Sequence, residues 1–188
     1  LPQGAKVGTS SPRRAAQLEA LRPDSMTDSI RGNVATRLSK VENGEFDATL
    51  LAAAGLARLG QGNIGTAVGP SALLPAASPG ELGIACLIAR SEIAALMAPI
   101  NHSATFGCVM AERAFLEALG GTCHSPVAAQ AVWHGDILTL QGEILREDGS
   151  EREQGSITCK PGDQLAPALL ARQLLDAATP ELRALFEG

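Results

Sequence analysis

The first 53 residues alternate between strand and helix patterns, and this alternation constrains the fold more than any other feature of the chain. Residues 5–8 form a short apolar strand that runs into Gly8-Thr9-Ser10-Ser11. Residues 12–21 read as a helix: Pro12 sits in the first turn, where a missing N–H costs nothing, and Ala15, Leu18 and Leu21 share one face. Arg22-Pro23-Asp24 closes it. Residues 26–30 read as a second strand and Arg31-Gly32-Asn33 as a turn. Residues 34–42 form a second helix with Val34, Leu38 and Val41 on its apolar stripe, ended by Asn43-Gly44 in the manner of a left-handed cap. Residues 46–53 are a continuous apolar run, the pattern of a strand covered on both faces. Strand-helix-strand-helix-strand predicts a mostly parallel α/β sheet.

Beyond this unit lies a Gly-rich loop over residues 60–72, then two strand-like runs, 73–76 and 82–88, around a bend at Ser78-Pro79-Gly80. Residues 93–99 read as a short helix and Asn101-His102-Ser103 as a cap or linker. The pattern then changes. Residues 104–119 form one good helix, with Val109, Phe115, Leu116 and Leu119 apolar and Gly120-Gly121 as its stop. Three strand candidates follow at 127–133, 137–145 and 151–159, separated by His134-Gly135-Asp136 and by residues 146–150, both suited to hairpins. Residues 164–178 and 180–186 read as closing helices. Strands clustered between helices predict a small α+β unit, a three-stranded antiparallel sheet with helices. The expected division is 1–100 and 101–188, with a hinge near 76–90.

Hydrophobic residues make up 45% of the 188 and charged residues 19%, enough apolar mass for a packed core. No apolar stretch approaches the length of a membrane-spanning helix. The net charge of −5 hides an asymmetry: residues 1–60 hold eight basic against six acidic side chains, and the rest hold seven against fourteen. An acidic chain with an Arg-bearing N-terminal third predicts a local anion site. With aromatics at 3% and no Tyr, a nucleic-acid surface is not expected, nor is a membrane partner. Cys86, Cys108, Cys123 and Cys159 show no C-x-x-C spacing, so no metal site is expected and the cytosol is the default compartment. The start at Leu1-Pro2-Gln3-Gly4, without Met, predicts a chain that begins inside a longer protein.

Three motifs carry chemistry. Gly8-Thr9-Ser10-Ser11-Pro12-Arg13-Arg14 follows a strand and opens a helix, so helix-start N–H groups, three hydroxyls and two guanidinium groups can cradle an anion. A plain N-cap at Ser11 with solvated arginines fits the spacing equally well. Arg31-Gly32-Asn33 followed by Arg37 repeats the architecture, and in a doubly wound sheet the two repeats line one crevice, so Arg13, Arg14, Arg31 and Arg37 are expected to converge on a polyanion. Arg58 follows the third strand and could join them, though alone it reads as a surface residue. The third motif is Gly120-Gly121-Thr122-Cys123-His124-Ser125-Pro126, which puts a thiol in a small, polar loop suited to attachment or nucleophilic chemistry, with His124 beside it. Cys86, Cys108 and Cys159 read as buried small hydrophobes, and His102 and His134 as cap or surface residues.

Together these segments resemble the hydroxymethylbilane synthase (porphobilinogen deaminase) family. Val7-Gly8-Thr9-Ser10-Ser11 with Arg13-Arg14, Arg22-Pro23-Asp24, Arg31-Gly32-Asn33-Val34 with Thr36-Arg37-Leu38, Asn43-Gly44-Glu45-Phe46-Asp47-Ala48, Ala54-Gly55-Leu56 with Arg58-Leu59-Gly60, and Leu74-Pro75-Ala76 match its second domain in order. Ala111-Glu112-Arg113-Ala114-Phe115-Leu116, then Gly120-Gly121, Cys123 and Pro126, match its third. The resemblance implies a periplasmic-binding-protein-like α/β domain followed by the α+β domain, in a monomeric transferase. That enzyme joins four porphobilinogen units into hydroxymethylbilane with loss of ammonia, through oligopyrrole intermediates. It implies a dipyrromethane cofactor held as a thioether on Cys123, with Thr9, Ser10, Ser11, Arg13, Arg14, Arg31 and Arg37 around the cofactor and Arg31, Arg37 and Arg58 facing substrate carboxylates. The family's first domain, with its catalytic Asp, has no counterpart in these 188 residues, so no residue here takes that role and the isolated chain is expected to be inactive. Ala77-Ser78-Pro79-Gly80-Glu81 also departs from the Gly-Gln-Gly usual after Leu-Pro-Ala, which puts the hinge and its polar contacts in question. Apart from the resemblance, a non-catalytic anion-binding module and a Cys123–His124 thiol enzyme stand as alternatives.

Overall fold

The computed structural model describes residues 1–120 and 125–186. Its N-terminal unit is built on β1 (Lys6–Gly8), β2 (Met26–Asp28) and β3 (Ala48–Thr49), all parallel in the order β2-β1-β3. β1 is the central strand, and Val7 on it is almost fully buried. α1 (Pro12–Leu21) and α2 (Val34–Glu42) fill the two crossovers with the bounds their caps predict. Ser11 caps α1 by accepting from Arg14 N, and Asn33 Oδ1 caps α2 by accepting from Thr36 N at 2.9 Å. Gly44 takes the left-handed conformation that ends α2.

Several expectations change here. The 46–53 run contributes only Ala48–Thr49 to the sheet, because β1 is three residues long and its ladder to β3 closes with Leu50 N donating to Gly8 O. The chain then turns directly into α3 (Ala53–Arg58). On α1 the buried face is Ala16, Gln17 and Leu18, while Leu21 is exposed. The Val34/Leu38/Val41 stripe of α2 is only half covered, and α2 buries no residue fully. Residues 73–76 and 82–88 are not strands. Leu74-Pro75 has no regular structure and bonds to both units through its carbonyls, and Leu82, Ile84, Leu87 and Ile88 are exposed. Cys86, expected to be buried, is exposed, whereas Cys108 is half-buried and Cys159 buried.

α4 (Ser91–Met97) and a 3-10 turn (Ala98–Ile100) lead to the C-terminal unit. There α5 (Ser103–Leu119) and α6 (Leu165–Ala177) cover one antiparallel sheet, β4 (Val127–His134), β5 (Ile137–Leu145) and β6 (Arg152–Cys159), in the order β4-β5-β6. α7 (Pro180–Arg183) follows. Phe115, Leu138, Leu140, Ile144 and Leu170 centre the larger of the two cores. His102 caps α5 and His134 is exposed, as their positions predict.

The two units touch along a seam of specific bonds. β4 is an edge strand, and an edge leaves alternate N–H groups unpaired. Ala129 N donates to Pro75 O at 3.0 Å and Ala131 N to Glu112 Oε1 at 2.7 Å. The other Glu112 oxygen takes Ser78 N at 2.6 Å and Ser78 Oγ at 3.3 Å. Ser78 holds a positive φ of 51°, so this carboxylate secures a bend that a non-glycine residue enters at a cost. The Ser78-Pro79-Gly80 bend thus has its polar contact, supplied by the C-terminal unit.

Candidate functional site

β1 and α1 deliver the first two arginines. The chain leaves β1 through the buried Thr9, whose Oγ1 accepts from Ser11 N at 3.2 Å and tightens the entry into the helix. Ser11 Oγ faces Arg14 N at 3.4 Å. Two of the three hydroxyls therefore build the turn itself, and only the exposed Ser10 reaches a distant side chain: its Oγ accepts from Arg37 Nη2 at 3.1 Å. Arg37 comes from the first turn of α2, and its Nε donates to Gly32 O at 2.9 Å.

Arg13 and Arg14 line a cleft of about 510 Å³ whose other walls include Leu38 and Val41 of α2, Leu56 of α3, and Ile64 and Val68 of the following loop. Asp47 also lines it, but its Oδ2 is held by Lys6 N at 2.7 Å. Arg13 Nη1 donates to Gln17 Oε1 at 2.7 Å and Leu74 O at 2.6 Å, and Arg14 Nη1 to Leu50 O at 3.3 Å.

The electrostatics show the crowding. Burial first, and then the charge of Arg14, lower the Arg13 pKa to about 10, with Glu143 opposing. Burial and Arg37 lower Arg14 in the same direction. Like charges close together disfavour one another, and an anion relieves both effects. Among the described residues, no carboxylate comes within ion-pair distance of Arg13, Arg14 or Arg37. A cleft lined by both apolar side chains and guanidinium groups suits a flat ring that carries carboxylates.

Of the five arginines expected to converge, Arg13 and Arg14 line this cleft, Arg37 lies outside its lining but close enough for its charge to act on Arg14, and Arg31 and Arg58 are exposed and do not line it. Cys123 and His124 lie outside the described residues, and so does any pairing between them. Gln17 and Glu143 join the site without having been singled out. Gln17 reads as a polar position inside a helix and Glu143 as the outward residue of an alternating strand, so neither carries a local signal.

A family model for the porphobilinogen deaminase dipyromethane cofactor binding domain matches residues 1–95, and one for the porphobilinogen deaminase C-terminal domain matches residues 106–175. The chain belongs to the porphobilinogen deaminase family. Among curated relatives, the porphobilinogen deaminase of Sphingopyxis alaskensis is 52% identical over 187 residues, covering 99% of this chain and 59% of that protein. Those of Neisseria meningitidis serogroup A and Chromobacterium violaceum are 45% and 46% identical, each covering 97% of this chain and 59% and 60% of theirs. The chain spans about three fifths of the length of these relatives. The clustered arginines all fall within the cofactor-binding match.

Proposed function

We propose that these residues form the cofactor-binding and C-terminal parts of a hydroxymethylbilane synthase, a transferase that joins four porphobilinogen units with loss of ammonia in tetrapyrrole synthesis. The observation that carries this reading is the pair Arg13 and Arg14 lining one cleft, with the charge of Arg37 acting on Arg14 and, among the described residues, no carboxylate within ion-pair distance of any of the three. Each pyrrole of the growing chain bears an acetate and a propionate, and bidentate arginine is the side chain suited to such groups. Arg13, Arg14 and Arg37, with Ser10, would hold a dipyrromethane anchored as a thioether at Cys123. Bound there, that group supplies the pyrrole carbon from which the polymer is extended. Arg31 and Arg58, at exposed positions, would meet substrate carboxylates that lie further out. The contribution of these residues is electrostatic positioning of carboxylates. The catalytic Asp is expected from outside the 188 residues, the fold of residues 1–100 is of the periplasmic-binding-protein type, and 101–188 form a second domain.

The intact mass of the chain tests this. A dipyrrole adduct that is lost in Cys123→Ser supports the reading. An unmodified thiol that reacts slowly favours an anion-binding module, and a fast-reacting thiol at neutral pH favours a thiol enzyme. The isolated chain is expected not to turn over, and robust hydroxymethylbilane formation by it would overturn that expectation.

A further inference from the structure

Gln17 and Glu143 lie 126 residues apart, one on α1 and one on β5, and both are almost completely buried where the two units meet. A buried carboxylate is costly unless it is hydrogen-bonded and paired. Here one Glu143 oxygen is in ion-pair contact with Arg152, and the other accepts from Gln17 Nε2 at 2.6 Å. Gln17 Nε2 also donates to Leu74 O at 3.0 Å. Both amide hydrogens of Gln17 thus go to acceptors, a backbone carbonyl and the carboxylate that Arg152 contacts. The amide is left with one orientation, in which Oε1 faces Arg13 Nη1 at 2.7 Å. Arg13 Nη1 is fixed a second time by Leu74 O, and among the described residues nothing takes Arg13 Nε or Nη2. These two nitrogens form one edge of the guanidinium fork, the edge that meets a carboxylate in a bidentate pair.

Taking the cradle reading as given, we propose that Glu143, acting through Gln17, is a positioning residue that sets the Arg13 guanidinium for carboxylate binding, so that the C-terminal unit controls recognition in the N-terminal cleft. Leu74 completes the device from the segment that bonds to both units. The β5–β6 turn supports it independently, since Gly149 packs directly on the α1 backbone at Ala16 and Ala20. Replacing Glu143 by its amide changes little in volume, but it turns an acceptor-only group into one that can also donate. With Arg152 drawing the new carbonyl, the new NH2 faces Gln17 and favours the flipped amide. A flipped Gln17 presents N–H groups to Arg13, and the Arg13–Gln17 bond is lost.

The test uses the 188-residue chain, side-chain 15N NMR of the arginine guanidinium groups, and titration with porphobilinogen as the carboxylate probe. In the wild type, the Arg13 Nη signals should show restricted rotation. Glu143→Gln, and separately Gln17→Met, should average them and weaken porphobilinogen binding by about tenfold or more, while the backbone amide spectrum stays dispersed. Glu143→Asp, which keeps acceptor-only oxygens, should retain more of both properties than Glu143→Gln. A purely structural role would lower the melting temperature and leave the Arg13 signals of the folded variants unchanged. Unchanged Arg13 signals in both folded variants overturn the proposal, even if the wild type binds porphobilinogen and Arg37→Ala does not. If the Arg13 signals average as expected but the wild type binds no porphobilinogen, the positioning stands and the cradle reading falls.

Discussion

Gly149→Ala reports on whether the β5–β6 turn is seated on α1. Gly149 has φ +66°, and a Cβ built there lies 2.6 Å from both Ala16 O and Ala20 N. Those are backbone atoms in the middle of a helix, so no side chain can rotate away to make room. Gly135, in the other hairpin, has φ +63° with nothing within 4 Å of the added atom. The two glycines share the conformational penalty and differ in the contact. Placing alanine in the left-handed region costs about 1–2 kcal/mol at either site. Forcing a methyl into a filled space adds about 1–3 kcal/mol at Gly149 alone. In a chain of this length each kcal/mol lowers the melting temperature by about 2–4 °C. Thermal and urea unfolding of Gly149→Ala, Gly135→Ala and the wild type, followed by circular dichroism, gives the comparison. Gly149→Ala should melt clearly below Gly135→Ala, and chemical shift changes should reach residues 16–20. Equal destabilisation, with no shift change in α1, would refute the seating of the turn against the helix.

Other consequences follow from the same geometry. Asn33→Ala removes the cap of α2 and should cost about 1 kcal/mol of stability in urea titration, with a fraying first turn that loosens Arg37. Burial, outweighing the hydrogen bonds from Ala131 and Ser78, raises the Glu112 carboxyl above its ordinary range, and Glu81 adds to it. The folded state therefore binds this proton more tightly than the unfolded state, and the stability contributed by Glu112 is present at low pH and lost as pH rises through the raised value. The stability difference, wild type minus Glu112→Gln, should thus grow as pH falls from neutral toward 4, and a flat or shrinking difference in denaturant titrations would count against the burial argument. In a full-length family member, Arg37→Ala and Arg31→Ala should cripple cofactor assembly or chain elongation without loss of fold, as read by activity, intact mass and circular dichroism, and wild-type activity in both variants would refute the arginine assignment.

Much of the fold is legible locally because its signals are local. Pro12, Asn33 and Gly44 fix the helix limits through dihedral angles and single hydrogen bonds within a few residues of themselves. The alternation in 127–133 and 137–145 reads as a hairpin because its two strands are neighbours in the chain. The failures all depend on distant partners. The 46–53 run looks like a long strand, but the length of β1 limits it to two paired residues. Residues 82–88 are apolar yet exposed, since apolar composition records a capacity for burial and not the surface that would cover it. Within the site, the Arg-bearing turns announce themselves, while Gln17 and Glu143 do not. Glu143 lies between Gly142 and Ile144 on a strand whose alternation assigns it to the solvent side, and Gln17 on α1 from the other unit, with Arg152 on β6, meets it there.

That contact also explains how the fold tolerates three guanidinium groups beside one another. Gathering like charges at the edge of a core opposes folding, and the carbonyls of Leu74, Leu50 and Gly32 offset part of this cost by accepting from Arg13, Arg14 and Arg37 in turn. Carbonyls reduce the local potential without neutralising the charge, and among the described residues Glu143 is the carboxylate whose charge favours the Arg13 cation, with Gln17 bonded to both. An acidic residue paired directly with Arg13 would neutralise it more effectively but would occupy the hydrogens that a carboxylate ligand needs. Support from behind, delivered by the second unit, steadies the cation and leaves its outer edge available. The stabilising charge and the binding surface therefore belong to different units, and the seam between them is part of the site.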